Sequence, residues 1–258
     1  MDWFDPSDDV LIHPRMDRGR WWQRAYGTDA LRVSPQAVFV TNQYGKLYDA
    51  VCERLDKHAT VAQDHRERGY VRYEVGSRML TAHRAPTPGP WAAQSLEWLI
   101  SAGAREILFI NAAGSLRADV PVGSVVLPDE LVREEGTSYH YAAAGIVLKT
   151  SNRLNGRIAR EAESLRVRLT RGKHWTTDAV YRETMTKVER LRRNGVVSVD
   201  MELSALAGVA HFRRCDLAAL LVVSDVLTEP HNWEGITSRE FAQGVQVAAA
   251  LAALVLLR

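Results

Sequence analysis

Two carboxylates stand two residues apart in Ser198-Val-Asp-Met-Glu-Leu203, where a short apolar run gives way to a helical one. Asp200 and Glu202 could cap that helix, because its free N–H groups and its dipole favour an anion. Capping accounts for one carboxylate. A second one, with Met201 between, suits a sugar: the thioether packs the ring face and the carboxylate accepts from vicinal hydroxyls. Downstream, Leu221-Val-Val-Ser-Asp225 ends an apolar run with an aspartate. That residue either opens a surface loop or serves as a general acid, since an apolar setting disfavours the charged form and a leaving group needs a proton. Asn111-Ala-Ala-Gly-Ser-Leu116 has small residues that let a ligand approach the backbone, although a packed turn has the same composition. The loop Ala85-Pro-Thr-Pro-Gly-Pro90 is stiffened by three prolines, follows His83 and Arg84, and also reads as a rigid entry to a helix at Trp91.

These residues need elements to hold them. Ala37–Thr41, Glu106–Asn111, Ser124–Leu127, Val196–Val199 and Leu217–Ser224 read as strands. Gly69–Val75 and Arg78–Ala82 read as a hairpin around Gly76-Ser77. Leu47–Leu55, Ala92–Ala102, Arg153–Leu165 and Met201–Phe212 read as helices, and Thr237-Ser-Arg-Glu240 is a capping-box pattern before a long final helix. The alternation predicts an α/β fold: one domain over 35–258 with a mixed, mostly parallel central sheet flanked by helices. In such a sheet, ligands sit beyond the carboxyl ends of the strands, where the segments above fall.

Residues 1–34 read as an irregular arm. Arg15, Arg18, Arg20 and Arg24 surround Trp21 and Trp22 there, which suits packing on the body or on a neighbouring subunit; RNA binding is the alternative. The chain has 258 residues, 46% hydrophobic and 25% charged, which excludes a disordered or disulfide-stapled chain. With 33 basic against 31 acidic side chains the net charge is +2, and no positive field points to nucleic acid or an anionic membrane. Cys52 and Cys215 are too few for a disulfide framework and read as buried thiols in a reducing cytosol. The acidic start lacks a signal-peptide core, and the apolar run 247–257 is short for a membrane crossing. The histidines lack metal-ligand spacing, so no metal is expected.

Together the segments resemble the nucleoside phosphorylase superfamily, which includes uridine phosphorylase, hexameric purine nucleoside phosphorylase and the methylthioadenosine/adenosylhomocysteine nucleosidases. The resemblance covers about residues 36–257. It is carried by VDMELSALAGVA (199–210), LLVVSD (220–225), the layout of 89–116, EGTSYHY (135–141) and TTDAVYRET (176–184). It implies that Met201 and Glu202 line the ribose, with Glu202 accepting from the 2′- and 3′-hydroxyls. Asp200 stands where the family often has Glu. Asn111, Ala112, Gly114 and Thr177 fall in the segments that contact substrate. Asp225 matches the aspartate by which purine-specific members protonate N7, with Arg239 the nearest candidate for its helper. TTDAVYRET lacks the Gln-x-Arg pair that reads a pyrimidine edge, so the resemblance leans toward a purine.

The resemblance departs from the family at phosphate. The usual Gly-Asp-Pro-x-Arg loop is replaced by Asn42-Gln-Tyr-Gly-Lys46, in which Lys46 keeps the charge but not the bidentate fork. Phe109 replaces a phosphate-binding Arg, and Ala112 replaces a nearby Thr/Ser. Arg66 matches an Arg often lent by a neighbouring subunit, and Arg84 could substitute for the missing charge. Phosphorolysis to free base and ribose 1-phosphate is therefore the expected reaction, with phosphate as co-substrate and no cofactor. Hydrolysis and nucleoside binding without turnover are the alternatives. No Glu in the 42–46 loop is available to activate water. The resemblance further implies a cytoplasmic homo-oligomer, a dimer or hexamer, with His13 the early histidine that could reach a neighbour's 5′-hydroxyl.

Overall fold

The apolar run from Ile107 forms the middle of the sheet, because Ile107–Asn111 is buried on both faces and rich in residues that fit a pleated core. The computed structural model describes residues 3–14, 33–42, 46–227 and 233–258; the Arg/Trp stretch from Arg15 to Arg24 lies outside the described residues. Among these are nine strands: β1 (Gln36–Thr41), β2 (Thr60–His65), β3 (Tyr70–Val75), β4 (Arg78–Ala85), β5 (Glu106–Ser115), β6 (Val125–Glu134), β7 (Leu169–Thr177), β8 (Val196–Asp200) and β9 (Asp216–Val226). Six α-helices accompany them: α1 (Leu47–Asp56), α2 (Gly89–Ala102), α3 (Asn152–Ser164), α4 (Met185–Arg193), α5 (Leu203–Arg213) and α6 (Arg239–Leu257).

The strands form one mixed sheet in the order β2-β3-β4-β1-β5-β8-β7-β6-β9. β1 lies parallel between β4 and β5, and β5 runs parallel to β9 along its length. The end of β5 also pairs with β8, through Gly114 opposite Val199 and Ser115 opposite Ser198. The chain therefore gathers the ends of β5, β8 and β9 at one place. One apolar cluster joins α1, α3 and α6 to the sheet, a second joins α2 and α5, and a small third gathers Trp175 with α4. Helix α6 is long and apolar because it is a core helix, with Val245, Ala248, Leu251 and Ala252 buried.

The expected α/β architecture is present, with differences that have physical causes. β2, β7 and α4 were not expected from sequence. β2 is a polar edge strand with no fully buried residue, and β7 contains Gly172 and three basic residues that read as loop. α4 buries only Val188 and Leu191, too thin a stripe to show periodicity. β5 and β6 run further than the apolar residues do, to Ser115 and Glu134. The last helix starts one residue later than its capping-box pattern: Ser238, not Thr237, accepts from the N–H of Phe241 at 3.0 Å. Cys52 is buried, as expected, but Cys215 is only half-buried.

Before the sheet, Trp3 stacks on His140 with ring centroids 5.4 Å apart, and Asp8 pairs with Arg213 at 2.5 Å. Val33 and Ser34 already pack on the body; the Ser34 N–H donates to Thr81 Oγ1 at 3.0 Å.

The cap assignment gives a first test. Ser238→Ala should lower unfolding free energy by ~1 kcal/mol, while Thr237→Ala, whose hydroxyl donates to Glu234 O on the surface, should cost at most a few tenths, both read by urea denaturation. Equal costs would remove Ser238 from the cap.

Candidate active site

Asp200 ends β8, two residues before Glu202, which holds the N-cap position of α5 without a side-chain cap bond. Both Asp200 oxygens accept from the Leu203 N–H at 3.1 Å, so the capping role expected of one carboxylate belongs to Asp200. It also accepts from Thr176 Oγ1 at 2.9 Å and from Asn111 Nδ2 at 3.1 Å, and His174 Nε2 lies 2.9 Å away. Burial opposes its charge, but His174 and these donors outweigh burial and hold its carboxyl below the usual range. Glu202 sits on the other side of Asn111. Its Oε2 accepts from Asn111 Nδ2 at 2.9 Å and from the Met201 N–H at 3.3 Å, and Oε1 makes no hydrogen bond among the described residues. Burial, then the Asp200 and Asp178 carboxylates, push Glu202 well above the carboxylate range, with Asn111 and the Met201 N–H offsetting part of the rise.

Asn111 joins the two. Its Oδ1 accepts from Thr41 Oγ1 at 2.6 Å and from the Ala112 N–H at 2.9 Å, so its NH₂ must face the carboxylates. Met201 is half-buried, and its carbonyl accepts the Gly89 N–H at 3.2 Å. A Cβ at Gly89 would stand 2.8 Å from that carbonyl, so a residue without a side chain lets α2 seat on the Met201–Glu202 turn.

Asp225 comes to the same end of β5 from β9, beside Gly114. The β5–β9 register shifts between Ala113 and Gly114, because Ser224 is an extra residue: Ala113 faces Val223 and Gly114 faces Asp225. Such a bulge re-aims the following side chain. Asp225 Oδ1 accepts from Ser224 Oγ at 2.6 Å, and Oδ2 lies 3.2 Å from where a Gly114 Cβ would stand. Gly114 thus opens room for the carboxylate. Glu183, after the 3₁₀ turn Val180–Arg182, also faces Asp225. Burial and then Asp225 push its carboxyl up to about 7, with Lys187 working the other way.

The remaining expected residues divide. Thr177 is buried and accepts from the Ala179 N–H at 3.3 Å, shaping the turn toward Glu183, and Ala112 is half-buried beside Asn111. Arg84 lines a cavity of about 630 Å³ with Asn42, His83, Arg68, Thr87 and Trp91. That cavity begins one residue past Thr41, which bonds Asn111. Burial holds the His83 imidazole down to about 4, so the cationic groups on this wall are the two arginines. Lys46 is exposed at the start of α1; residues 43–45 of its loop lie outside the described residues. Within the chain Arg66 is not brought to the site, because Asp56 and Asp64 hold its guanidinium at 2.8 and 2.9 Å. Arg239 is exposed at the first residue of α6 and makes no hydrogen bond to Asp225 there. His13 lines a small cavity with Glu97 and Arg105, apart from these residues. Phe109 is fully buried against Phe39, 6.1 Å between centroids, in place of an arginine.

Sequence reasoning missed Thr41, His174, Thr176 and Glu183. Thr176 and Glu183 lay inside a quoted segment, but only the pairing of β7 with β8, Thr176 opposite Asp200, shows what Thr176 holds.

The raised Glu202 carboxyl makes stability fall with pH. Its protonated form stabilises the fold fully below the ordinary value of 4.5, and that contribution is lost as pH rises to about 8. The Glu202 contribution to the unfolding free energy should decline across this window by at most about 1.4 kcal/mol per pH unit, and Glu202→Gln should remove that part of the decline while the part due to Glu183 remains. An unchanged slope in the variant, read by urea titrations at several pH values, would contradict the assignment.

Comparison with known proteins agrees with this architecture. The family model described as "Phosphorylase superfamily" matches residues 39–258. A purine nucleoside phosphorylase DeoD-type of Buchnera aphidicola subsp. Acyrthosiphon pisum (strain Tuc7) is 23% identical over 150 residues, 56% of this chain and 61% of the relative, so the match spans less than two thirds of that relative's length. A uridine phosphorylase of Treponema pallidum (strain Nichols) is 26% identical over 172 residues, 62% of this chain and 67% of the relative. The fold is similar to that of purine nucleoside phosphorylase from Toxoplasma gondii in complex with immucillin-H (TM-score 0.74, 19% identity, 96% of each chain). It is also similar to uridine phosphorylase from Vibrio fischeri ES114 (TM-score 0.72, 22% identity, 87% of this chain and 91% of the other). With the family model covering the sheet from within β1 onward and every strand end that carries the cluster, the chain belongs to the phosphorylase superfamily.

Proposed function

We propose that the protein cleaves the N-glycosidic bond of a nucleoside, preferring a purine base, and passes the sugar to phosphate to give free base and ribose 1-phosphate. The observation that carries this reading is the convergence of Glu202 and Asp225 on one short stretch of β5. Asn111 binds Glu202 and Gly114 borders Asp225. Three residue steps of strand lead from Asn111 to Gly114, about 10 Å, which suits a ribose at one end and a base at the other.

In this reading Met201 packs the sugar and Glu202 accepts from its hydroxyls. The C1′–N bond breaks with positive charge growing on the sugar, which nearby carboxylates favour. Asp225 hands its proton to the departing base, and a phosphate oxygen bonds to C1′. Glu183 adds a second carboxyl at the base end, which suits a base offering N–H groups. Relatives are named for a purine and for uridine. Asp225 is what favours the purine here. Lys46 and Arg84 hold phosphate, with Arg68 on the same cavity wall as Arg84. The reading carries with it a homo-oligomer and no cofactor.

Hydrolysis is a second reading favoured by two observations: Phe109 is packed where a phosphate arginine is expected, and Arg66 is held by its own carboxylates.

A nucleoside panel assayed with and without phosphate, measuring free base and sugar phosphate, tests both. Phosphorolysis predicts base release that requires phosphate; equal release without it favours water. Asp225→Asn should lower purine nucleoside cleavage by about 10²-fold or more, and activity retained within a few-fold would remove the acid role.

A further inference from the structure

His174 lies in β7, fully buried, with Nδ1 2.8 Å from Ser198 Oγ and Nε2 2.9 Å from Asp200 Oδ1. The order Ser–His–Asp is that of a nucleophile relay. Here Ser198 and His174 are wholly inaccessible and Asp200 almost so, locked between β7 and β8. The three groups cannot meet a substrate. They can fix one another, and the contacts continue past Asp200: its Oδ2 accepts from Asn111 Nδ2, whose other N–H goes to Glu202 Oε2.

We propose that His174 is a positioning residue, which through Asp200 and Asn111 fixes the place and the charge of Glu202. The role given to Glu202 rests on the function proposed above; the linkage itself does not. A histidine at this point places a ring nitrogen 2.9 Å from Asp200 Oδ1, which favours the ionised Asp200 and draws it toward β7. Asp200 is then a partner for His174, Thr176, Asn111 and the Leu203 N–H rather than for a ligand. With Asp200 drawn back, one Asn111 N–H is free to hold Glu202 at the sugar. Partial neutralisation of Asp200 also limits the repulsion that Glu202 feels from it. The groups facing Glu202 are Asp200 from β8, Asp178 from the end of β7, Asn111 from β5 and the Met201 N–H; Asp178 acts in the same sense as Asp200 and stays in place in every variant below.

The two substitutions give opposite outcomes. Removing His174 leaves Asp200 and Glu202 to share a proton, so the pH at which both are ionised rises. Removing the Asp200 charge lowers the pH at which Glu202 ionises. The experiment follows the Glu202 carboxyl by ¹³C NMR of glutamate-labelled full-length protein, assigned with Glu202→Gln, in wild type, His174→Gln and Asp200→Asn. The expected shifts are about one pH unit upward in His174→Gln and about one downward in Asp200→Asn, each a tenfold change in the ionised fraction at fixed pH. The alkaline-rising limb of nucleoside cleavage should move the same way. A role limited to stability would lower activity at every pH and leave the midpoint in place, and that result overturns the proposal. Should His174→Gln fail to fold, Asp200→Asn still tests the charge linkage. The wild-type protein must then also show a His174 ring resonance that moves in Asp200→Asn, as the 2.9 Å contact requires; an unmoved resonance overturns the proposal too. Lack of nucleoside turnover in wild type would sink the proposed function while leaving the carboxyl titration to decide this linkage.

Discussion

Two carboxylates two residues apart, both buried, share the two N–H groups of one asparagine, and the site is organised around that constraint. Buried like charges cannot both be left without compensation. The protein separates their duties. Asp200 receives a histidine, a threonine, a helix N–H and half of Asn111, so its oxygens are taken up by the protein. Glu202 receives the other half of Asn111 and a single backbone N–H, and keeps an oxygen without an internal partner among the described residues. A carboxylate left under-satisfied at the end of a sheet is suited to accept hydroxyls from a ligand.

The second constraint is topological. β5 has β9 beside it along its length and β8 beside only its last residues, so three strand ends meet within a few residues of Asn111. One extra residue, Ser224, turns Asp225 onto Gly114. Without the bulge, strand alternation would direct Asp225 to the opposite face. Gly89 performs a related service, allowing α2 to approach the backbone of Met201. The arrangement at the strand ends thus depends on small residues and a register shift as much as on the charged groups themselves.

Strong periodicity made much of the fold legible. β1, β5, β9 and the helices α1, α2, α3 and α6 carry enough apolar residues to be read directly. β2, β7 and α4 do not, because an edge strand and a thin amphipathic helix bury too little to leave a pattern. At the site, Glu202, Met201, Asp225 and Asn111 could be named from local sequence. Their division of labour could not: whether Asp200 or Glu202 is the cap depends on His174 and Thr176, which are distant in sequence and adjacent only through the β7–β8 pairing. Arg66 shows the converse. A basic residue in a plausible position was bound by Asp56 and Asp64, which local sequence reading did not connect to it.

Glu202 and Asp225 are proposed to bracket a single ligand along Asn111–Gly114. A crystal structure with a bound purine nucleoside decides this. Ribose hydroxyls should lie within hydrogen-bond distance of Glu202, and the imidazole edge of the base beside Asp225. A nucleoside seated elsewhere, or one that touches Glu202 with its base turned away from Asp225, would contradict it.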